Sequence, residues 1–202
     1  MFTLLTSIDQ AIFSQMSFKE FIIIFEVLIS GLAVAHLLDS LASVVIAKPK
    51  LYWNHLMYTT LALMLIVNHW WMSFHHSYEL IVTNVFQFLI ILSKPVIIYF
   101  LSIFLFPKEV SLKARNLKAI FKLNLRPLMV CFIGYHFVNM IHDYYIYSAG
   151  IEINENYALQ NVVRGSFLIF ACVVWMSKRV LLAEILGVLS FLLTVSYWME
   201  IS

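Results

Sequence analysis

Six stretches of this chain, 21–47, 56–74, 80–106, 128–147, 157–177 and 180–199, are each dominated by apolar residues and carry very few charges. A helix rises about 1.5 Å per residue, so about 20 such residues cover the roughly 30 Å of hydrocarbon in a bilayer. Hydrocarbon offers the backbone no hydrogen-bond partners, and a helix satisfies its own. The expected fold is therefore all-α: a single polytopic membrane bundle over residues 1–202, with about six transmembrane helices. Charged residues make up 12% of the chain and hydrophobic ones 62%, with a mean hydropathy of +0.90. A soluble domain carries about 25% charged residues, and these six stretches leave no room for one beside the bundle. The first and third stretches are longer than needed, which predicts tilt, and Pro95 predicts a kink in the third because it has no N–H for the helix ladder. Asn161 and Arg164 interrupt the fifth. The first twenty residues lack the basic start and small-residue cleavage site of a signal peptide and are expected to remain in the mature protein.

Charge then orients the bundle. Lys48 and Lys50 precede the second stretch, and Lys108, Lys113, Arg115, Lys118, Lys122 and Arg126 precede the fourth. With Lys178 and Arg179 before the sixth, ten cations fall on one side, against Lys19 alone on the other beside Glu79, Glu152 and Glu155. Positive loops stay in the cytoplasm, so both termini are expected outside. Trp53 and Trp175 at the basic ends, and Trp70, Trp71 and Trp198 at the opposite ends, mark the two interfaces where indole rings prefer to lie. The expected location is the bacterial inner membrane, with the lipid bilayer as the first partner.

Ionisable groups inside a bilayer are expensive, and they usually face inward and find one another. Helical spacing of about 100° per residue brings Glu26, His36, Asp39, Lys94, His136, Asn139, Asp143, Arg164 and Glu184 onto inward faces, predicting a buried polar seam. By depth the seam divides into two layers. Arg164 is expected to pair with Asp143 or Glu26 toward the outside, and Lys94 with Asp39 or Glu184 toward the cytoplasm. Such a seam serves either as polar glue between helices or as a path for protons or ions.

No catalytic motif, phosphate loop or metal-binding pattern occurs, so neither enzymatic chemistry nor a metal is expected. No cofactor is called for. A b-type haem between His69 and His142, at one depth on separate helices, is the one group the histidines could hold. Cys131 and Cys172 lack paired spacing and are expected as free, buried thiols. The long connection 107–126 reads as an amphipathic basic helix, with Val110, Leu117, Ile120 and Phe121 on one face and Arg115, Lys118, Lys122 and Arg126 on another. That pattern suits anionic headgroups or a cytoplasmic protein partner. Nucleic acid is not expected, and a homo-oligomer is left open.

The run FEVLISGLAVAHLLDSLA, then NHWW, a proline-bearing stretch ending FLFP, and KLNLRP resemble a family of small uncharacterised bacterial multi-pass membrane proteins, from Phe25 to about Pro127. In size and span content the chain also resembles the membrane accessory proteins of type VI-B CRISPR systems. That resemblance implies modulation of a defence effector and carries over no site residue. The expectation is a non-enzymatic membrane protein, accessory, regulatory or channel-like; the alternatives are a haem-binding redox protein and a small proton- or ion-coupled transporter.

Overall fold

The computed structural model describes residues 18–75, 84–106, 116–148 and 157–201. Over these residues the chain is all-helical, with seven helices and no strand. They are α1 (Phe18–Ala47), α2 (Trp53–His75), α3 (Val85–Leu105), the short α4 (Leu117–Leu123), α5 (Leu125–Ser148), α6 (Tyr157–Ser177) and α7 (Val180–Ile201). By length and composition, the segments Glu20–Ala47 of α1, Val85–Leu105 of α3 and Ala158–Ser177 of α6 can cross a membrane, and α7 contains a shorter apolar run. The other long helices, α2 and α5, are diluted by the histidines, asparagines and tyrosines that their apolar stretches contain.

Local chemistry sets the ends. Asn84 and Asn116 cap α3 and α4, their side chains accepting from the backbone N–H groups of Gln87 and Lys118 at 3.0 Å each. An asparagine oxygen placed there satisfies a donor that the first turn leaves free. Helices α1 and α6 close on Lys48 and Lys178, which adopt the left-handed region at φ 46° and 55°. Each donates its N–H back to a carbonyl of the last turn, Val44 or Val174. Glycine usually fills such a cap, but a cation there also complements the negative end of the helix dipole.

Each long helix has at least two long neighbours. Helices α1, α3, α5, α6, α7 and α2 contact in that order around a closed ring, and α2 also touches α3 across it. The buried side of α1 runs Ile22, Glu26, Ser30, Ala33, Leu37, Ser40 and Val44, a three-and-four spacing that keeps one narrow stripe inward. Outside that stripe the surface is apolar: Leu28, Leu32, Leu38, Val45 and Ile46 on α1, Val162 and Ile169 on α6, and Leu181 and Leu192 on α7 are all exposed. Apolar belts of this extent cost free energy in water and none against acyl chains. The main apolar core fills the end nearer the basic loops, from Leu37 and Val44 through Tyr58, Leu61, Leu101, Leu105 and Phe121 to Met129, Ala183 and Leu186. Pro95 lies buried within α3, so the Ile91 carbonyl loses its usual N–H partner.

Helices α2 and α7 meet at Gly187. A Cβ built there would lie 2.3 Å from the end of Met57 and 2.7 Å from the Tyr58 ring. Methionine can swing away, but Tyr58 is fully buried and held by its hydroxyl donating to the Ala183 carbonyl at 2.9 Å. Gly187→Ala should therefore overpack the contact and cost about 1–3 kcal/mol. At Gly31 and Gly165 nothing lies within 4 Å of the added carbon. Alanine there should be neutral or stabilising by up to about 1 kcal/mol. Thermal unfolding in detergent, followed by tryptophan fluorescence, checks the contrast.

Candidate functional site

Four charged side chains from four helices form one cluster, buried at Glu26 of α1 and Lys94 of α3 and half-buried at Asp143 of α5 and Arg164 of α6. Glu26 is 1% exposed and Lys94 is 8% exposed. Arg164 donates to the Asp143 carboxylate. Lys94 sits in the fields of Asp143, Glu26 and Arg164. Two histidines complete the group. His69 of α2 holds Nε2 at 3.5 Å from Glu26, and His142 of α5 holds Nδ1 at 3.7 Å from Asp143. With the histidines counted neutral, two cations and two carboxylates sum to zero charge. Counted at 1.5 Å per residue, all six lie about 7–14 Å inside the helix ends opposite the basic loops. Ser30 Oγ, Trp70 Nε1 and Asn161 Oδ1, on α1, α2 and α6, are buried polar atoms without a hydrogen-bond partner.

Lys94 thus joins the layer expected toward the outside, while His36 and Glu184 stay at the basic end. Arg164 pairs with Asp143, one of its two candidate partners. Lys94 faces neither Asp39 nor Glu184. A helical side chain leans toward the N-terminus of its helix, and α3 begins at the end opposite the basic loops, so the lysine stem carries its ammonium into the Asp143 and Glu26 layer. Asp39 is exposed, one residue off the inward stripe of α1 beside buried Ser40. Only α2 and α3 cover α1 closely, which leaves most of its circumference outward. Asn139 donates to the Tyr135 carbonyl of its own helix at 2.9 Å, so this bond does not join helices. His136 lies among rings, 4.6 Å from Phe132 and stacked 5.9 Å from Phe167, with Arg164 acting on it electrostatically.

The remaining predicted groups belong to the basic end. His36 donates through Nε2 to the Phe106 carbonyl at 3.1 Å, closing the C-terminus of α3. Glu184 accepts from the Tyr52 hydroxyl, which also accepts from Asn54 Nδ2 at 3.1 Å. Burial and the Glu184 carboxylate push the Tyr52 hydroxyl up to about 12, partly opposed by the Asn54 bond, so it remains a donor at neutral pH. Sequence spacing gave no sign of this contact, because Tyr52 precedes its helix and looks like an ordinary interfacial aromatic.

Helix α4 buries Leu117, Ile120 and Phe121 and exposes Lys118 and Lys122, as the amphipathic pattern requires. Its apolar face rests on protein rather than on lipid: Phe121 meets Tyr52, Tyr58 and His55. Lys118 lies 5.6 Å over the Tyr52 ring, and Arg126 is exposed at the start of α5. Arg115 and Val110 fall outside the described residues. His55, missed by the sequence reading, is fully buried against Phe106 and Phe121, with neither ring nitrogen hydrogen-bonded.

His69 and His142, the pair that could hold a haem in the alternative reading, are near enough for His142 to act electrostatically on His69. Each nevertheless turns a ring nitrogen to a carboxylate. Among the described residues no three His, Cys, Asp or Glu side chains gather as metal ligands, and Cys131 and Cys172 are free thiols. No family model, curated protein or solved structure matches this chain.

Removing one member of a buried pair strands its partner and costs about 3–5 kcal/mol when burial is complete, whereas removing both can be nearly neutral. The Arg164 side chain keeps 28% of its surface exposed and Asp143 keeps 18%, so a one-sided loss of about 2–4 kcal/mol is expected here. Arg164→Leu should lower the detergent melting temperature. Adding Asp143→Asn should recover much of the loss, and adding Glu26→Gln should not. Rescue by the Glu26 change instead would show that the pairing runs to α1.

Proposed function

We propose that this chain is a six-span protein of the bacterial inner membrane, with its basic end in the cytoplasm and both termini outside. It acts as a non-enzymatic, channel-like or accessory component. Its working part is the four-charge network, which exchanges protons with the outer face. The network carries this reading: titratable groups from five helices share one depth, and a purely adhesive contact needs neither four balanced charges nor two adjoining histidines. The buried oxygen and nitrogen atoms of Ser30, Asn161 and Trp70 add further polar character to the same half of the bundle. The orientation is supported by the ten-to-one partition of cations, and exposed Trp53, Trp71 and Trp175 near helix ends suit the two headgroup levels. An accessory role beside a defence effector remains part of the proposal only through the sequence resemblance. The haem alternative is served by the proximity of His69 and His142. A sharp, stoichiometric b-type band in the dithionite-reduced protein would establish it in place of our reading.

Two experiments address the proposal. Single cysteines at Asn116 and Glu155, in a background without Cys131 and Cys172, should label oppositely when intact cells meet membrane-impermeant maleimide. Position 155 should react and position 116 should not; the reverse pattern inverts the orientation, and labelling of both removes the six-span count. For function, protein in liposomes loaded with a pH-sensitive dye should admit protons faster than empty liposomes when external acid is added. Asp143→Asn and Lys94→Met should each lower that rate at least tenfold. The paired Arg164→Leu, Asp143→Asn variant should regain stability without regaining flux. Flux equal to that of empty liposomes, or unaffected by these variants, reduces the network to interhelical glue.

A further inference from the structure

At the basic end the described residues form a groove of ≈ 450 Å³, lined by Ala119, Lys122, Leu123, Leu125, Arg126 and Lys178. Two parts of the chain meet in it. Lys122 and Arg126 flank the junction of α4 and α5, and Lys178 comes from the turn between α6 and α7, more than fifty residues later. All three cations are exposed, and none of the lining residues is acidic. Like charges brought into one concavity repel unless an anion joins them. Leu123, exposed over 71% of its surface, supplies an apolar wall beside them, with the buried Leu125 behind it.

The position narrows the choice of anion. Lys178 follows Trp175 by three residues, and Trp175 is exposed at the end of α6, where an indole ring marks the headgroup level. Basic pockets between helices on the cytoplasmic side suit anionic lipid headgroups. Lys178 also holds its cation at φ 55°, a backbone conformation that favours glycine. Lys118, by contrast, lies over the Tyr52 ring and is not among the residues lining the groove.

We propose that this groove binds the headgroup of an anionic phospholipid carrying two phosphodiesters, held by Lys122, Arg126 and Lys178 with its glycerol and upper acyl carbons against Leu123. Three cations exceed the charge of one phosphodiester and nearly match two. The inference rests on the helices α5 to α7 crossing the membrane. It also takes the basic end to lie in the cytoplasm, the side on which such pockets meet anionic headgroups, and does not depend on proton exchange by the network.

The test is lipid retention on the detergent-purified full chain, read by native mass spectrometry against diphosphatidylglycerol, phosphatidylglycerol and phosphatidylcholine. One diphosphatidylglycerol per chain should remain bound, at least tenfold tighter than phosphatidylcholine and several-fold tighter than phosphatidylglycerol. At about fivefold per cation near an anionic surface, Lys178→Gln alone should weaken retention severalfold. The triple Lys122→Gln, Arg126→Gln, Lys178→Gln variant should abolish the preference. Lys48→Gln, which removes the cation of the other left-handed cap but not a groove residue, should leave retention unchanged. Melting curves matching the parent would show that these surface changes do not unfold the protein. Indifference to headgroup, or retention unaltered in the triple variant, overturns the site. Equal retention of phosphatidylglycerol overturns the two-phosphate assignment, and displacement of the lipid by low millimolar inorganic phosphate assigns the groove to free phosphate instead. Maleimide labelling at position 116 reports the orientation independently, because both leaflets of a test bilayer can carry the same lipid.

Discussion

Charge inside an apolar bundle has to be cancelled nearby, and the Asp143–Arg164 contact is where this cancellation is most direct. It joins α5 to α6. Lys94 brings in α3, and Glu26, facing His69, brings in α1 and α2. These contacts restrict how far each helix can rotate about its axis, since turning any one outward would move an ionic group from its partners onto the apolar outer surface. Interhelical polar contacts in membranes contribute little net stability each. Their larger effect is on register, because each partner left behind becomes an uncompensated charge.

The two halves of the bundle therefore follow different chemistry. Toward the basic loops the interior is a conventional apolar core, in which Tyr58, Phe121 and the leucines of α2 and α3 interlock. Toward the opposite end, buried ionic and polar groups take a larger share. Helix α4 closes the apolar half: its buried face covers Tyr58 and Tyr52, while its N-terminal end is tied to the α1–α2 connection by the Leu117 N–H donating to the Lys50 carbonyl at 3.3 Å. A short basic helix that the pattern alone would lay on the lipid surface is thereby part of the packed protein. Its exposed lysines face outward because the hydrophobic face is already occupied.

This separation gives the proposed activities different locations. Proton exchange would belong to the balanced network, and lipid recognition to the groove between the α4–α5 junction and the α6–α7 turn. Helices α5 and α6 connect them, since Asp143 and Arg164 lie near one end of that pair while Arg126 and Lys178 lie at the other. Communication between the sites would have to pass along these two packed helices, whose contact includes the stacking of His136 on Phe167.

Periodicity and composition were enough to establish an all-helical chain with long apolar segments, because the backbone in hydrocarbon has few alternatives to a helix. The residues of the balanced cluster were also legible one by one: charge in an apolar stretch is costly, which made Glu26, Lys94, Asp143 and Arg164 conspicuous without coordinates. Their partners were less legible. The expected pairing of Lys94 failed because a long side chain reaches along its helix toward the N-terminus, so the depth of its Cα misplaces its charge. Asp39 was expected inside because helical spacing groups it with Glu26 and His36 on one side of α1, but α1 has only two close neighbours and a narrow inward stripe. Nothing in the sequence showed that Tyr52 meets Glu184, or that Lys178 joins Lys122 and Arg126, since these residues are separated by long stretches of chain. Hydrophobic pattern determines which segments leave water and which residues are anomalous there. Only packing, by fixing helix rotation and neighbourhood, decides which anomaly answers which.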